Sequence, residues 1–334
     1  MNTPGALMAR EAAQSATVFA STAAQDVSAQ IAPLELHTKR AWYTVARGSS
    51  DAAATILSYE MMRALDRPVT TLPPSVFSLG HGVDLSDAAT LIISQSGAST
   101  DLAMTVAQAQ KRGAATLALT NKTGSPVERA AQATLHMKAG EELAIPATKS
   151  VVASIACGLS LIAGLKPSYR ADLAQSAQMI SGLRDTHPKA KDLTAALLRS
   201  QHVYVIGRDC GFGAAQEVAL KLKECCALHA EAYSSSEVLH GPLQLVTKPI
   251  FVLILDIESP ATQPSLDIAE SRLRAVGGDV MRLRPSDIGA QDLLPAAAAA
   301  ALLHVLYPVI LAVSLALGHD PDRPETLAKE TLTT

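Results

Sequence analysis

The feature that most limits the folds open to this chain is an alternation that starts twice. Short apolar, often β-branched runs are each followed by a longer Ala-rich stretch, which is the pattern of βαβ units and a parallel sheet. Residues 5–30 predict a first helix. Ala41–Ala46 (AWYTVA) then predicts a strand, Arg47-Gly48-Ser49-Ser50 a turn and Asp51–Leu65 a helix. Ala89–Ser94 predicts a second strand, with a Ser/Gly turn and a helix through Lys111; Thr116–Leu119 predicts a third and Thr134–Met137 a fourth. After a polar stretch near Lys166–Lys191 the series restarts. His202–Ile206 is expected as a strand, Gly207–Gly213 as a glycine-bearing loop and Ala214–Leu228 as a helix. Phe251–Leu255 and Asp279–Leu283 follow as strands on either side of a helix over Ser265–Val276. Both halves open strand, Gly-bearing turn, helix, so the chain reads as an internal duplication.

Composition fits that scheme. Hydrophobic residues make up 48% but aromatics only 3%, so Ala, Leu, Val and Ile must fill the core, as in helices packed on a sheet. A length of 334 residues suits two domains of about 150 each. The net charge of −3 gives no basic footprint for nucleic acid. Cys157, Cys210, Cys225 and Cys226 form no CxxC pair, which disfavours a zinc site or a disulfide framework and suits reduced thiols in a cytoplasmic protein. Arg10 and Glu11 interrupt any signal-like apolar run at the start. Leu293–Gly318 is uncharged and long enough to span a bilayer. Pro295, Pro308 and His304 lie within it and Asp292 and Asp320 flank it, so a buried crossover helix is expected instead.

Two stretches carry chemistry. Ser94-Gln95-Ser96-Gly97-Ala98-Ser99 joins a strand to a helix, so its hydroxyls and N–H groups face outward at a helix N-terminus, where an anion is stabilised. A Ser-rich cap without ligand has the same appearance. Gly48-Ser49-Ser50 repeats the theme in the neighbouring loop. Gly207–Gly213 has GxxxGxG spacing rather than GxGxxG, and no GxxxxGK[ST] occurs, so neither a dinucleotide cofactor nor nucleotide hydrolysis is supported. Glu217, Lys221 and Glu224 share one helix face at i, i+4 and i+7. They are either a solvated ion-pair ladder or an acid–base group facing a crevice, and the loop before them favours the second. His240, before Gly241-Pro242, is a possible proton shuttle; Lys329 alone would be a surface lysine.

SQSGAS at Ser94–Ser99, EVALKLKE at Glu217–Glu224, HAEAYSSSEVLHGP at His229–Pro242 and LAK at Leu327–Lys329 resemble the isomerase half of glucosamine-6-phosphate synthase and, more broadly, the SIS (sugar isomerase) superfamily. The resemblance covers roughly residues 35–334. It implies an α/β fold of two tandem SIS domains, each a parallel five-stranded, flavodoxin-like sheet between helices. Residues 1–34 would form an N-terminal helix, 35–166 and 191–320 the two domains, 167–190 a linker helix, and 321–334 a tail closing the site. It further implies that Ser94, Gln95, Ser96 and Ser99 bind a 6-phosphate, and that Gly48, Ser49, Ser50, Ala147 and Ala328 line the sugar. Glu224 would move a proton between C1 and C2, supported by Lys221 and Glu217. His240, from the second subunit of a homodimer, would assist ring opening, and Lys329 would form a Schiff base. Neither metal nor cofactor is implied.

There are departures. The family's CGTS loop is Arg47-Gly48-Ser49-Ser50 here, and its ASTK segment is Pro146-Ala147-Thr148-Lys149, which lacks one hydroxyl. The chain opens Met1-Asn2-Thr3 and reaches the isomerase-like part almost at once, without a glutaminase domain. The activity expected is therefore that of a stand-alone glucosamine-6-phosphate deaminase. The other readings are a galactosamine-6-phosphate deaminase, a fructosamine-6-phosphate deglycase or a non-catalytic sugar-phosphate sensor.

Overall fold

In the computed structural model, which describes residues 3–329, the first sheet follows three short helices, α1 (Ala6–Ala13), α2 (Ser15–Ala23) and α3 (Ser28–Ile31). The first half continues with β1 (Ala41–Val45), α4 (Ser49–Leu65), β2 (Val69–Thr71), α5 (Ser75–Ser78), β3 (Ala88–Ser94) and α6 (Thr100–Lys111). It closes with β4 (Ala115–Thr120), α7 (Pro126–Ala130), β5 (Ala133–His136) and α8 (Lys149–Leu165). Two helices, α9 (Arg170–Ser181) and α10 (Ala190–Arg199), lead to the second half. There β6 (His202–Gly207), α11 (Cys210–Cys226), β7 (His229–Ser234), β8 (Phe251–Leu255), α12 (Gln263–Ala275), β9 (Asp279–Leu283) and α13 (Pro295–Ala316) follow.

All strand pairs are parallel, in the orders β2-β1-β3-β4-β5 and β7-β6-β8-β9. The two orders superimpose position for position, as an internal duplication requires. The expected fifth strand of the second sheet is absent among the described residues. After β9 the chain turns through Pro285–Ile288 and enters α13, so no segment is left to extend that edge.

Other expectations need correction. The single N-terminal helix is interrupted at Gln14 and again over residues 24–27. β2 and β7 were not foreseen as strands. α11 begins at Cys210, not Ala214, because Asp209 accepts the Cys210 N–H at 2.6 Å and caps it, and because Gly211 and Gly213 serve packing. A Cβ on Gly213 would lie 2.8 Å from Ile56 N and 2.9 Å from Ala52 O, so α4 and α11 cross in near-backbone contact. Gly213→Ala is expected to destabilise the protein by about 1–3 kcal/mol, since backbone atoms cannot step aside. A thermal melt checks this; an unchanged melting temperature would mean the crossing is looser than it looks.

α13 is the centrepiece of the core. Ala296 through Leu303 are each fully buried, and 89% of its most apolar window lies inside the protein. Its length and apolarity reflect packing against α11, α10 and α8. Buried Glu60 ties the halves together: it accepts from Tyr169 Oη at 2.9 Å, Arg63 Nη1 at 2.9 Å and Ala296 N at 3.1 Å.

Candidate functional site

β1 and β3 are neighbours, so the turns leaving their carboxyl ends, Arg47–Ser50 and Ser94–Ser99, lie side by side. The second turn is folded on its own hydroxyls: Gly97 N donates to Ser94 Oγ and Ala98 N to Ser96 Oγ, each at 3.2 Å. Gly97 has φ +60°, and a Cβ there would fall 2.1 Å from Ser125 Oγ. Ser99 is the N-cap of α6 but makes no side-chain bond to it, which leaves its hydroxyl beside the free N–H groups of the first turn. That turn also holds Asp101, 2% exposed, which would repel an anion; its carboxylate contacts the Arg47 guanidinium. Arg47, where the resembled loop has Cys, thus offsets a charge at the mouth of the turn. Gly48 takes φ +56° at the N-cap of α4, and Ser49 and Ser50 follow half-buried.

The charged face of α11 turns inward rather than to solvent. Glu217 is fully buried and Lys221 is 1% exposed. Lys221 Nζ lies 3.7 Å from Glu217 Oε1 and also contacts Glu224, which keeps part of its surface open. Tyr307 donates a hydrogen bond to Glu217 at 3.3 Å, and Ser49 lies near enough to favour the charged carboxylate, so a residue of the first turn and one of α13 both face Glu217 on α11. Burial pushes the Glu217 carboxyl up to about 7 against the pull of Lys221. Burial also opposes the Lys221 charge, but Glu217 and Glu224 outweigh it and hold that ammonium above the ordinary lysine value.

The third component is the loop between β5 and α8. Glu142 is buried and accepts the N–H of Thr148 at 2.9 Å and of Ser150 at 3.1 Å, which fixes it to the start of α8. Lys329 Nζ lies 3.9 Å from Glu142 Oε2 and donates to the Ala144 carbonyl. Asn121 joins this loop to the serine turn: its N–H donates to Gln95 O at 3.1 Å, while its side chain accepts from Ala139 N at 2.9 Å and donates to Gly140 O at 2.7 Å. Burial lowers Lys329 below its ordinary value, and Lys221 is among the cations that act in the same direction.

Glu217, Lys221 and Glu224 therefore form one group beside Ser49, while Lys329 joins Glu142 and Ala144 on the loop that Asn121 ties to the serine turn. Ala147 is half-buried in the same loop as Glu142, whereas Ala328 is exposed. His240 does not join: it ends a short turn after β7 and is exposed. Sequence reasoning missed Glu142, Tyr307 and Asn121. A tyrosine inside an apolar helix was the one available signal, because a buried phenol needs a polar partner.

The second half differs at the matching position. The loop after β8, which corresponds to the serine turn after β3, carries buried Asp256. That carboxylate accepts from Arg282 Nε at 2.9 Å and Arg284 Nε at 3.1 Å, so the chain supplies its own anion there.

The SIS domain family model matches residues 35–163 and 196–283. The chain belongs to the SIS-domain family. It is 30% identical, over 96% of its length, to glutamine–fructose-6-phosphate aminotransferase (isomerizing) of Pyrobaculum aerophilum, and 31% identical over 85% to that of Halobacterium salinarum. It spans 56% and 50% of those proteins, about half the length of the curated relatives it matches. A candidate phosphosugar isomerase from Silicibacter pomeroyi superimposes with a TM-score of 0.84 at 32% identity, covering 94% of this chain and 99% of that one. Glucosamine-6-phosphate deaminase from Thermotoga maritima superimposes with a TM-score of 0.74 at 20% identity, over 98% and 100%, a likeness of fold alone. This SIS protein is thus related to the isomerase region of the aminotransferases and to the phosphosugar isomerases.

The buried acid of α11 carries a pH signature. Glu217 has a folded-state value of about 7 against an ordinary 4.5, so the folded state binds its proton more tightly than the unfolded state. Its contribution to stability is full below the ordinary value and lost as pH rises through the folded one. Glu217→Gln removes that loss. The variant is expected to gain several degrees relative to the parent when melts at pH 8 are compared with melts at pH 5; a constant difference would show that Glu217 is ionised throughout.

Proposed function

We propose that this protein is an isomerising glucosamine-6-phosphate deaminase, converting glucosamine 6-phosphate and water to fructose 6-phosphate and ammonia. It would act as a cytoplasmic homodimer. In this reading Ser94, Gln95, Ser96 and Ser99 hold the phosphate on the α6 N-terminus, and Ser49 and Ser50 line the sugar with Gly48, Ala147 and Ala328. His240, reaching over from the second subunit, donates a proton to the ring oxygen and opens the ring. Glu224 takes the C2 proton of the open-chain amino-aldehyde and returns it to C1, leaving an imine at C2. Lys221, charged and paired to both carboxylates, steadies the oxygen at C1. Lys329 exchanges with the imine, expelling ammonia, and water then hydrolyses the lysyl imine to the ketose.

The observation that carries this reading is the inward turn of the charged ladder. Glu217–Lys221–Glu224 is turned into the protein and reaches Ser49, while Lys329 sits on a loop hydrogen-bonded to the serine turn. A solvated ladder would show none of this. The test is an ammonia and fructose 6-phosphate assay over glucosamine, galactosamine and fructosamine 6-phosphates. Stoichiometric release from the glucosamine ester alone is expected; turnover of either other ester instead would move the assignment within the family, and no turnover with measurable binding would favour a sensor.

A further inference from the structure

Glu142 was not among the expected site residues, and its surroundings give it a task of its own. Three segments converge on Lys329. Glu11, fully buried on α1, accepts the N–H of Leu143 at 2.7 Å and of Ala144 at 3.1 Å, and so orients the Ala144 carbonyl that takes the Lys329 ammonium. Glu142 is held by the Thr148 and Ser150 amides and by the Ser150 hydroxyl. Its Oε2, which accepts from the Ser150 hydroxyl, lies 3.9 Å from Lys329 Nζ. A tail lysine with four flexible methylenes is thereby fixed to the end of a buried helix. A carboxylate needed only to cap α8 has no reason to be shared with the tail.

We infer that Glu142 is a positioning residue, which holds the Lys329 ammonium on the 142–144 loop and accepts its proton when the amine adds to the sugar. This rests on the proposed reading of Lys329 as the Schiff-base lysine. In the direction that forms the adduct from the ketose, Lys329 gives one proton to Glu142 and its lone pair forms the bond to C2 as the carbonyl pair moves onto oxygen. Glu142 returns that proton to the oxygen, a second nitrogen proton follows it, and water leaves the carbinolamine as the nitrogen lone pair forms the C=N bond of the protonated imine. No proton is gained or lost overall. The charged groups acting on Lys329 are Glu142 on its loop, Glu11 from α1, Lys221 from α11 and Lys149 from α8. The two carboxylates favour its ammonium form and the two lysines disfavour it. Lys149 is itself held by Gln14 at 2.7 Å, outside this exchange.

The experiment is trace acetylation of the full chain with acetic anhydride between pH 6 and 10, with the Lys329 peptide quantified by mass spectrometry. In Glu142→Gln an acceptor oxygen remains for the Thr148 and Ser150 amides, but the charge facing Lys329 is gone. The half-labelling pH of Lys329 is expected to fall by about one unit or more, the usual effect of removing an opposite charge at this range. Glu142→Asp keeps the charge one methylene further off and gives a smaller shift; it also serves if the glutamine variant melts too low to assay. A labelling curve that coincides with the parent's in a variant of unchanged melting temperature overturns the inference and leaves Glu142 a helix cap. Borohydride trapping of the parent with fructose 6-phosphate separates the two claims. No Lys329 adduct at any pH ends the Schiff-base reading and, with it, Glu142's role as proton acceptor. An adduct in the parent together with an unshifted labelling curve in Glu142→Gln refutes only the role of Glu142.

Discussion

Glu224→Gln is expected to lower kcat on glucosamine 6-phosphate by about 10²–10⁴-fold, the usual worth of a positioned general base, while fructose 6-phosphate still binds within a few-fold of the parent. The amide keeps the size of the side chain and a partner for Lys221, so the fold of α11 is retained. What is lost is the ability to carry a proton from C2 to C1. Glu224 is suited to that step because it is the one member of the ladder with part of its surface open, whereas Glu217 is sealed behind it. A stopped assay for fructose 6-phosphate with a parallel binding titration separates the outcomes. Loss of both turnover and binding would mean the variant damages the site, and undiminished turnover would place the base elsewhere.

The second large effect belongs to the serine turn. Gly97→Ala places a side chain at φ +60°, where an L-residue is strained by about 1–2 kcal/mol. It also drives that Cβ to 2.1 Å from Ser125 Oγ and 2.5 Å from Ser125 Cβ. Ser125 caps α7 by accepting the Glu128 N–H at 3.3 Å, so it cannot retreat without losing that bond. With overpacking of about 1–3 kcal/mol added, the turn is expected to leave its phosphate-ready shape and affinity for fructose 6-phosphate to fall about a hundredfold. Adding Ser125→Gly relieves the overlap but not the backbone strain, so recovery should be partial. Calorimetric titration of both variants measures this. Unchanged affinity in Gly97→Ala would show that the turn does not hold the ligand.

The parallel strands were legible because β1, β3, β4, β6 and β8 are largely apolar runs bounded by polar turns, and a buried parallel strand has that simple signature. β2 has only three residues, and β7 carries Glu231 and three partly exposed neighbours along an outer edge, so neither stands out from a loop. α11 began earlier than expected because glycines, which read as loop formers, are placed there for close approach to β8 and α4. Packing overrode propensity at those positions.

The site divides in the same way. The serine turn and the charged ladder are local in sequence, so spacing alone raised them, although only the resemblance gave them roles. Lys329 was raised by the resemblance alone, and its partners in the fold lie nearly two hundred positions away. Glu11, Asn121, Glu142 and Tyr307 come from four elements with no common motif, and each is ordinary until the fold brings it beside the others. His240 marks the opposite case, a residue raised by its motif that the fold of this chain leaves exposed.

The most direct test of the account is a crystal structure with fructose 6-phosphate bound. The phosphoryl oxygens should lie within hydrogen-bonding distance of the hydroxyls and amides of residues 94–99, with C1 and C2 between the Glu224 carboxylate and the Lys329 amine. A sugar whose phosphate sits anywhere else, or whose first two carbons face away from both side chains, would contradict it.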